Sequence, residues 1–243
     1  VNDEWVLTAA HCPPWDFDPD MSHVFLGSDM HASDTLELDF DEWYVHPDYN
    51  GLANDVAVVH LADPSPVEGI PINRDEAIDN RMVGEEFIFV GFGLSDPDAE
   101  QVDGKKRAAW IEVTDATGTI FYYFDEESMT SNGDSGGPAL YDFGEGRRVV
   151  GVTSWGSNDD DFGVSTSVES QAEWIDGHTG GDSPPWDTDD DDDDDDSADD
   201  IGPEDDGCTC AVPDARATGS EAGILAIVSA LLVAARVRGR RDP

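Results

Sequence analysis

Three short segments carry residue types able to do nucleophilic chemistry. Asn132-Gly133-Asp134-Ser135-Gly136-Gly137-Pro138 sets a serine among small residues, a tight backbone context in which amide hydrogens can converge on one small space. Leu7-Thr8-Ala9-Ala10-His11-Cys12 closes an apolar run on a histidine, and Asn54-Asp55-Val56-Ala57-Val58-Val59 opens another on an acid. A hydroxyl is a poor nucleophile near neutral pH unless a base lies within hydrogen-bond reach. An acid facing a core needs a partner, and a histidine nitrogen is a good one. Taken singly, the serine segment could be a plain turn and His11 a satisfied core histidine.

The elements that must position these residues read mostly as strands. Short apolar runs fall at Trp5–Ala9, His23–Leu26, Trp43–Val45, Val56–Leu61, Phe87–Phe92, Ala108–Val113, Pro138–Tyr141 and Val149–Ser154. Gly, Pro, Asp and Asn separate them, the punctuation of a barrel or sandwich. One helical turn is expected around His11, and a short helix over Ser170–Ile175.

The chain has 243 residues and a formal charge of -44. Such a surplus excludes nucleic acid as a natural partner and disfavours anionic membrane surfaces. Residues 1–181 hold 38 acids against 7 bases, residues 182–206 hold 15 acids and no base, and residues 207–243 hold 3 acids and 5 bases. Three pieces are expected: a body over 1–176, a disordered acidic linker over 177–207, and a tail over 208–243. The run Asp189–Asp196 reads as a solvated spacer. Its carboxylates are calcium-type ligands, but the positional pattern and glycine turn of a calcium loop are absent. No other cofactor or metal is expected. In the tail, Cys208 and Cys210 precede an apolar stretch, Ala222–Ala235, and a cluster of Arg236, Arg238, Arg240 and Arg241. This reads as a membrane-directed, transmembrane-like helix with a cytoplasmic stop, with a buried hairpin or packing helix as the alternative. Cys12 has no cysteine partner within the body, and the chain opens with Val1, three residues before an apolar strand, without a signal peptide.

The three chemical segments, in the order His, Asp, Ser, resemble the trypsin/chymotrypsin-like serine endopeptidases over residues 1–176. His46-Pro47-Asp48-Tyr49, Gly151-Val152-Thr153-Ser154-Trp155-Gly156, Gly163-Val164, Val168 and Trp174-Ile175 extend the likeness. The resemblance implies an all-β fold of two packed antiparallel β-barrels, the first incomplete, with a short C-terminal helix. It implies a monomeric catalytic body acting on polypeptides, with His11, Asp55 and Ser135 as a triad and the amides of Gly133 and Ser135 as an oxyanion hole. Asp134 would pair with a new N-terminal ammonium in the mature enzyme. Ser154, Trp155 and Gly156 would bind extended substrate, Gly163 would line the primary pocket, and Met129 would form its floor. A thioether there suits an apolar or aromatic side chain better than a basic one. Ser131 stands where the family usually has a bracing cysteine. Cys12 would take a partner upstream of Val1, where the activation site and first strands would also lie. A catalytically inactive homologue serving as a binding or regulatory module is the alternative. The tail resembles the myxobacterial C-terminal sorting signal, which implies export, processing near Cys208 or Cys210, and a secreted or cell-surface location.

Overall fold

The computed structural model describes residues 2–12, 23–95, 101–126, 128–157 and 162–181. Among these residues, ten strands and one α-helix carry the fold. The first four strands are β1 (Trp5–Thr8), β2 (His23–Leu26), β3 (Leu36–Val45) and β4 (Ala57–Leu61). They form an antiparallel sheet in the order β1-β4-β3-β2, an open half-barrel. The next six are β5 (Glu86–Gly91), β6 (Arg107–Ala116), β7 (Ile120–Phe124), β8 (Pro138–Asp142), β9 (Arg147–Ser157) and β10 (Phe162–Ser167). They close into a barrel in the order β10-β7-β6-β5-β8-β9. The all-β, two-barrel architecture with an incomplete first barrel is thus the one the sequence implied.

Strand alternation lets β1 and β4 serve two cores at once, because successive side chains point to opposite faces. Val6, Val59 and Leu61 join Val24, Leu26 and Phe40 inside the half-barrel. Val58 and the neighbouring Ala9 and Val56 face the other way and meet Ile72, Val152, Val168 and Ile175. That second cluster cements the half-barrel to the closed barrel, with roughly 1.5–3 kcal/mol for each large aliphatic side chain fully buried. The closed barrel is filled by Phe87, Phe89, Ile111, Val113, Phe121 and Tyr123.

Two elements depart from the sequence expectation. β7 is absent from the expected strands because its run Ile-Phe-Tyr-Tyr-Phe lacks polar alternation. β3 begins at Leu36, well before Trp43, with acids Glu37, Asp39 and Asp41 on its solvent face. The expected closing helix is α1 (Ala172–Thr179), entered through a 3-10 turn at Glu169–Gln171. It runs through Gly177 because Ile175 and Thr179 are buried and Asp176 is clamped by Arg74 at 2.8 and 2.6 Å. Gly180, at φ 78°, supplies the left-handed residue that ends it.

The membrane expectations are corrected. Among the described residues no helix is long and apolar enough to cross a membrane. The stretch Ala222–Ala235 lies outside those residues, and fourteen residues would give only about 21 Å of helix against a hydrocarbon core of about 30 Å. A transmembrane helix, a membrane-directed or processed tail, and a secreted or surface location reached through it have no support and are withdrawn. Val1, Asp189–Asp196, Cys208, Cys210 and the terminal arginines also lie outside the described residues. Among the described ones, no group of three His, Cys, Asp or Glu side chains is arranged to hold a metal ion.

Candidate active site

The expected turn after β1 is present, closed by Cys12 N–H donating to Ala9 C=O at 3.2 Å. It aims His11 at Asp55, which is 2% exposed. His11 N–H donates to Asp55 Oδ1 at 3.0 Å, and Nδ1 lies 2.6 Å from Oδ2. In the neutral imidazole, with the carboxylate ionised, Nδ1 carries the proton and Nε2 has its lone pair free. Ser154 Oγ also donates to Asp55 Oδ2, at 2.5 Å, from across the molecule on β9. The Asp55 hydrogen bond, and then Cys12, raise the His11 pKa above the ordinary histidine value, against burial. Burial pushes Asp55 up, but the hydrogen bonds from His11 and Ser154 together outweigh it and hold the carboxyl down.

Asp55 owes its direction to the residue before it. Asn54 sits at φ 55°, a left-handed conformation that asparagine tolerates better than most side chains. Its amide donates to Asp48 C=O at 3.2 Å and its carbonyl accepts from Gln171 at 3.1 Å. The chain is thereby turned into β4, whose Ala57–Val59 are fully buried.

The loop bearing Ser135 is tied to the closed barrel. Gly136 N–H donates to Thr153 C=O at 2.8 Å, Gly137 N–H to Asp134 C=O at 2.9 Å, and Leu94 N–H to Asn132 C=O at 3.0 Å. Gly133 and Gly136 have φ of 97° and 78°. Gly136 meets the His11 turn directly: a Cβ there would collide with Thr8 Oγ1 and come within 3.2 Å of Cys12 Sγ. The serine loop and the histidine turn are therefore in contact across the two barrels. Among the described residues no hydrogen bond joins Ser135 to His11; Nε2 lies 4.0 Å from the free thiol of Cys12. Asp134 is turned inward, accepting from Gly93 N–H at 2.7 Å and Ser131 N–H at 2.8 Å.

Ser135 opens on a cleft of about 880 Å³, lined also by Met129, Ser154, Trp155, Gly156 and Phe162. Met129 is half-buried; its Sδ accepts from Asp125 N–H at 3.4 Å, and its side chain packs on the barrel core. Trp155 makes an aromatic wall with Phe162 and Tyr122, at centroid distances of 5.7 and 6.5 Å. Gly156 faces Gly163 across the β9–β10 ladder. Gly163 itself is buried behind the cleft, where a side chain would strike the Tyr123 ring. No role was expected for Tyr123, for Gln171 or for Asn54 itself, nor was the carboxylate contact of Ser154 expected. Only the position of Asn54, next to the acid, could have signalled any of them.

A family model described as Trypsin matches residues 1–175. The chain belongs to the trypsin family. Among its relatives, trypsin of Phaedon cochleariae is 28% identical over 210 residues, covering 74% of this chain and 76% of that one. Vitamin K-dependent protein C of Oryctolagus cuniculus is 27% identical over 212 residues, covering 73% of this trypsin-family chain. The match spans 45% of that protein's length. In fold, the chain is similar to neuropsin, a serine protease expressed in the limbic system of mouse brain. The TM-score is 0.62 at 22% identity, covering 74% of this chain and 86% of the other.

Proposed function

We propose that this chain is a serine endopeptidase in which Ser135, His11 and Asp55 act as a triad. The observation that carries the reading is the pairing of His11 with the buried Asp55, braced by Ser154, in contact through Gly136 with the serine loop. His11 Nε2 takes the Ser135 hydroxyl proton as Oγ bonds to the scissile carbonyl carbon. Asp55, hydrogen-bonded to Nδ1–H, steadies the imidazolium that forms. The amides of Gly133 and Ser135 donate to the developing oxyanion; one such donor is worth roughly 3–4 kcal/mol in the transition state. The imidazolium then protonates the leaving amine, and water, deprotonated by the same nitrogen, releases the acid from the acyl-enzyme. The open Ser135–His11 link is compatible with this, because such bonds often close only with substrate in place.

Ser154, Trp155 and Gly156 would pair with extended substrate backbone. Met129 and the aromatic wall of Trp155 and Phe162 favour apolar or aromatic side chains before the cleaved bond over basic ones. The open link also supports a second reading, a catalytically silent homologue that binds peptide without cleaving it. Labelling by a fluorophosphonate probe and peptide hydrolysis by the full chain decide between them. Both are expected, and both should vanish in Ser135→Ala. Absence of both in the unmutated chain, with peptide binding retained, selects the silent homologue.

A further inference from the structure

Gly91, the last residue of β5, stands opposite Arg107, the first residue of β6, at an antiparallel Cα spacing of about 5 Å. The Asp134 carboxylate fills the space that a side chain at Gly91 or Gly93 would need, so a Cβ at either position would collide with it. Arg107 and Asp134 thus flank one glycine, and both line the cleft that holds Ser135.

Arg107 is engaged elsewhere in this structure. Its Nη1 and Nη2 donate to Asp103 at 2.9 and 2.7 Å, in a pair whose side chains are 43% and 42% exposed. Asp134 accepts two backbone amides and, among the described residues, forms no ion pair. Burial pushes its carboxyl up, while those amides and the Arg107 charge pull it down. Tyr123 on β7 is the other titratable group whose interaction with Asp134 is felt. An exposed arginine–carboxylate pair contributes little to stability, whereas a buried carboxylate lacking a counter-charge is costly. The guanidinium therefore gains by exchanging the exposed acid for the buried one.

We propose that Arg107 is a positioning residue: passed from Asp103 to Asp134, its guanidinium supplies the counter-charge that holds the Gly133–Ser135 loop with its amides facing the cleft. The proposal rests on the proteolytic reading, and it gives the loop a source of order internal to the chain, with Asp103 as the competing partner.

The experiment is a ¹³C-carboxyl NMR titration of Asp134 in the full chain, alongside the rate of fluorophosphonate labelling. Arg107→Gln should raise the Asp134 midpoint and slow labelling by about tenfold, the equivalent of one pH unit of lost charge stabilisation. Asp103→Asn, which frees the guanidinium, should lower the midpoint; Arg107→Lys should retain most of the labelling rate. Arg81→Gln breaks a comparable exposed pair with Asp79 remote from the cleft and should change neither readout. An Asp134 midpoint that is the same in the unmutated chain, Arg107→Gln and Asp103→Asn overturns the proposal, even if labelling proceeds. A midpoint that responds as expected in a chain that never labels upholds the pairing and removes the proteolytic reading instead.

Discussion

His11 and Asp55 shift each other in opposite directions, and the signs determine how both activity and stability depend on pH. The imidazole must be neutral to accept the serine proton, and its pKa lies above the ordinary 6.5. Turnover should therefore rise with pH through a midpoint above that value. Asp55→Asn removes the principal cause of the shift. Its kcat should fall by roughly 10⁴-fold, with the remaining pH limb displaced downward, as a stopped assay across the pH range would show. Stability follows the same signs. The raised His11 contributes stability fully below its unfolded pKa and loses it as pH climbs through the folded value; the depressed Asp55 contributes above its unfolded pKa and loses it as pH falls. The thermal midpoints of wild type and Asp55→Asn should thus separate most between those limits. At this scale the sequence was informative because chemistry restricts residue type. The proposed mechanism needs a base, an orienting acid and a nucleophile, and His11, Asp55 and Ser135 each stood beside small or apolar neighbours. Ser154 shows where that logic stops. Its place at the end of an apolar strand was readable, but its hydrogen bond to an acid 99 positions earlier depends on how the two barrels face each other.

The elements carrying these residues are held by contacts that no local pattern announces. Helix α1 has eight residues, too short to be stable by itself. Its place depends on Ile175 in the core between the barrels and on the two hydrogen bonds from Arg74 to Asp176. Both side chains of that pair are partly shielded, at 23% and 32% exposure. Arg74→Ala should lower unfolding free energy by about 1–2 kcal/mol in urea titrations, more than an exposed pair provides. An unchanged midpoint would show that Ile175 alone docks the helix. The sequence showed the apolar face of α1 but not its end, because Gly177 reads as a breaker when the clamp on Asp176 is unknown. A different reason hid β7. Its five large side chains alternate between the barrel interior, where Phe121 and Tyr123 are buried, and a half-covered outer face. Without polar residues on that outer face, periodicity is silent. Apolar strands such as β1, β4 and β5 were legible from the turn residues that bound them.

For the whole molecule, charge is the dominant departure from an ordinary domain. The body over residues 1–181 has 38 acids and 7 bases, and four of its arginines, at 74, 81, 107 and 148, are already committed to acids. On β3 two of the carboxylates are hydrogen-bonded to histidines, Asp39 to His23 and Asp41 to His60, at 2.8 and 2.7 Å. Compact folding brings the remaining like charges together, so self-repulsion opposes it. Raising monovalent salt from 0.01 to 0.15 M shortens the screening length from about 30 Å to about 8 Å. The repulsion is spread across the surface, whereas the stabilising His11–Asp55 and Arg74–Asp176 pairs are close and partly shielded. Screening should therefore weaken the first far more than the second, and the thermal midpoint should climb with potassium chloride. Using potassium separates this effect from divalent cation binding. The same screening acts in reverse on encounter: kcat/KM for peptides carrying lysine outside the cleaved position should fall as salt rises, while neutral peptides change little. A midpoint that drops with salt would mean that specific ion pairs, not diffuse repulsion, govern the stability of this acidic fold.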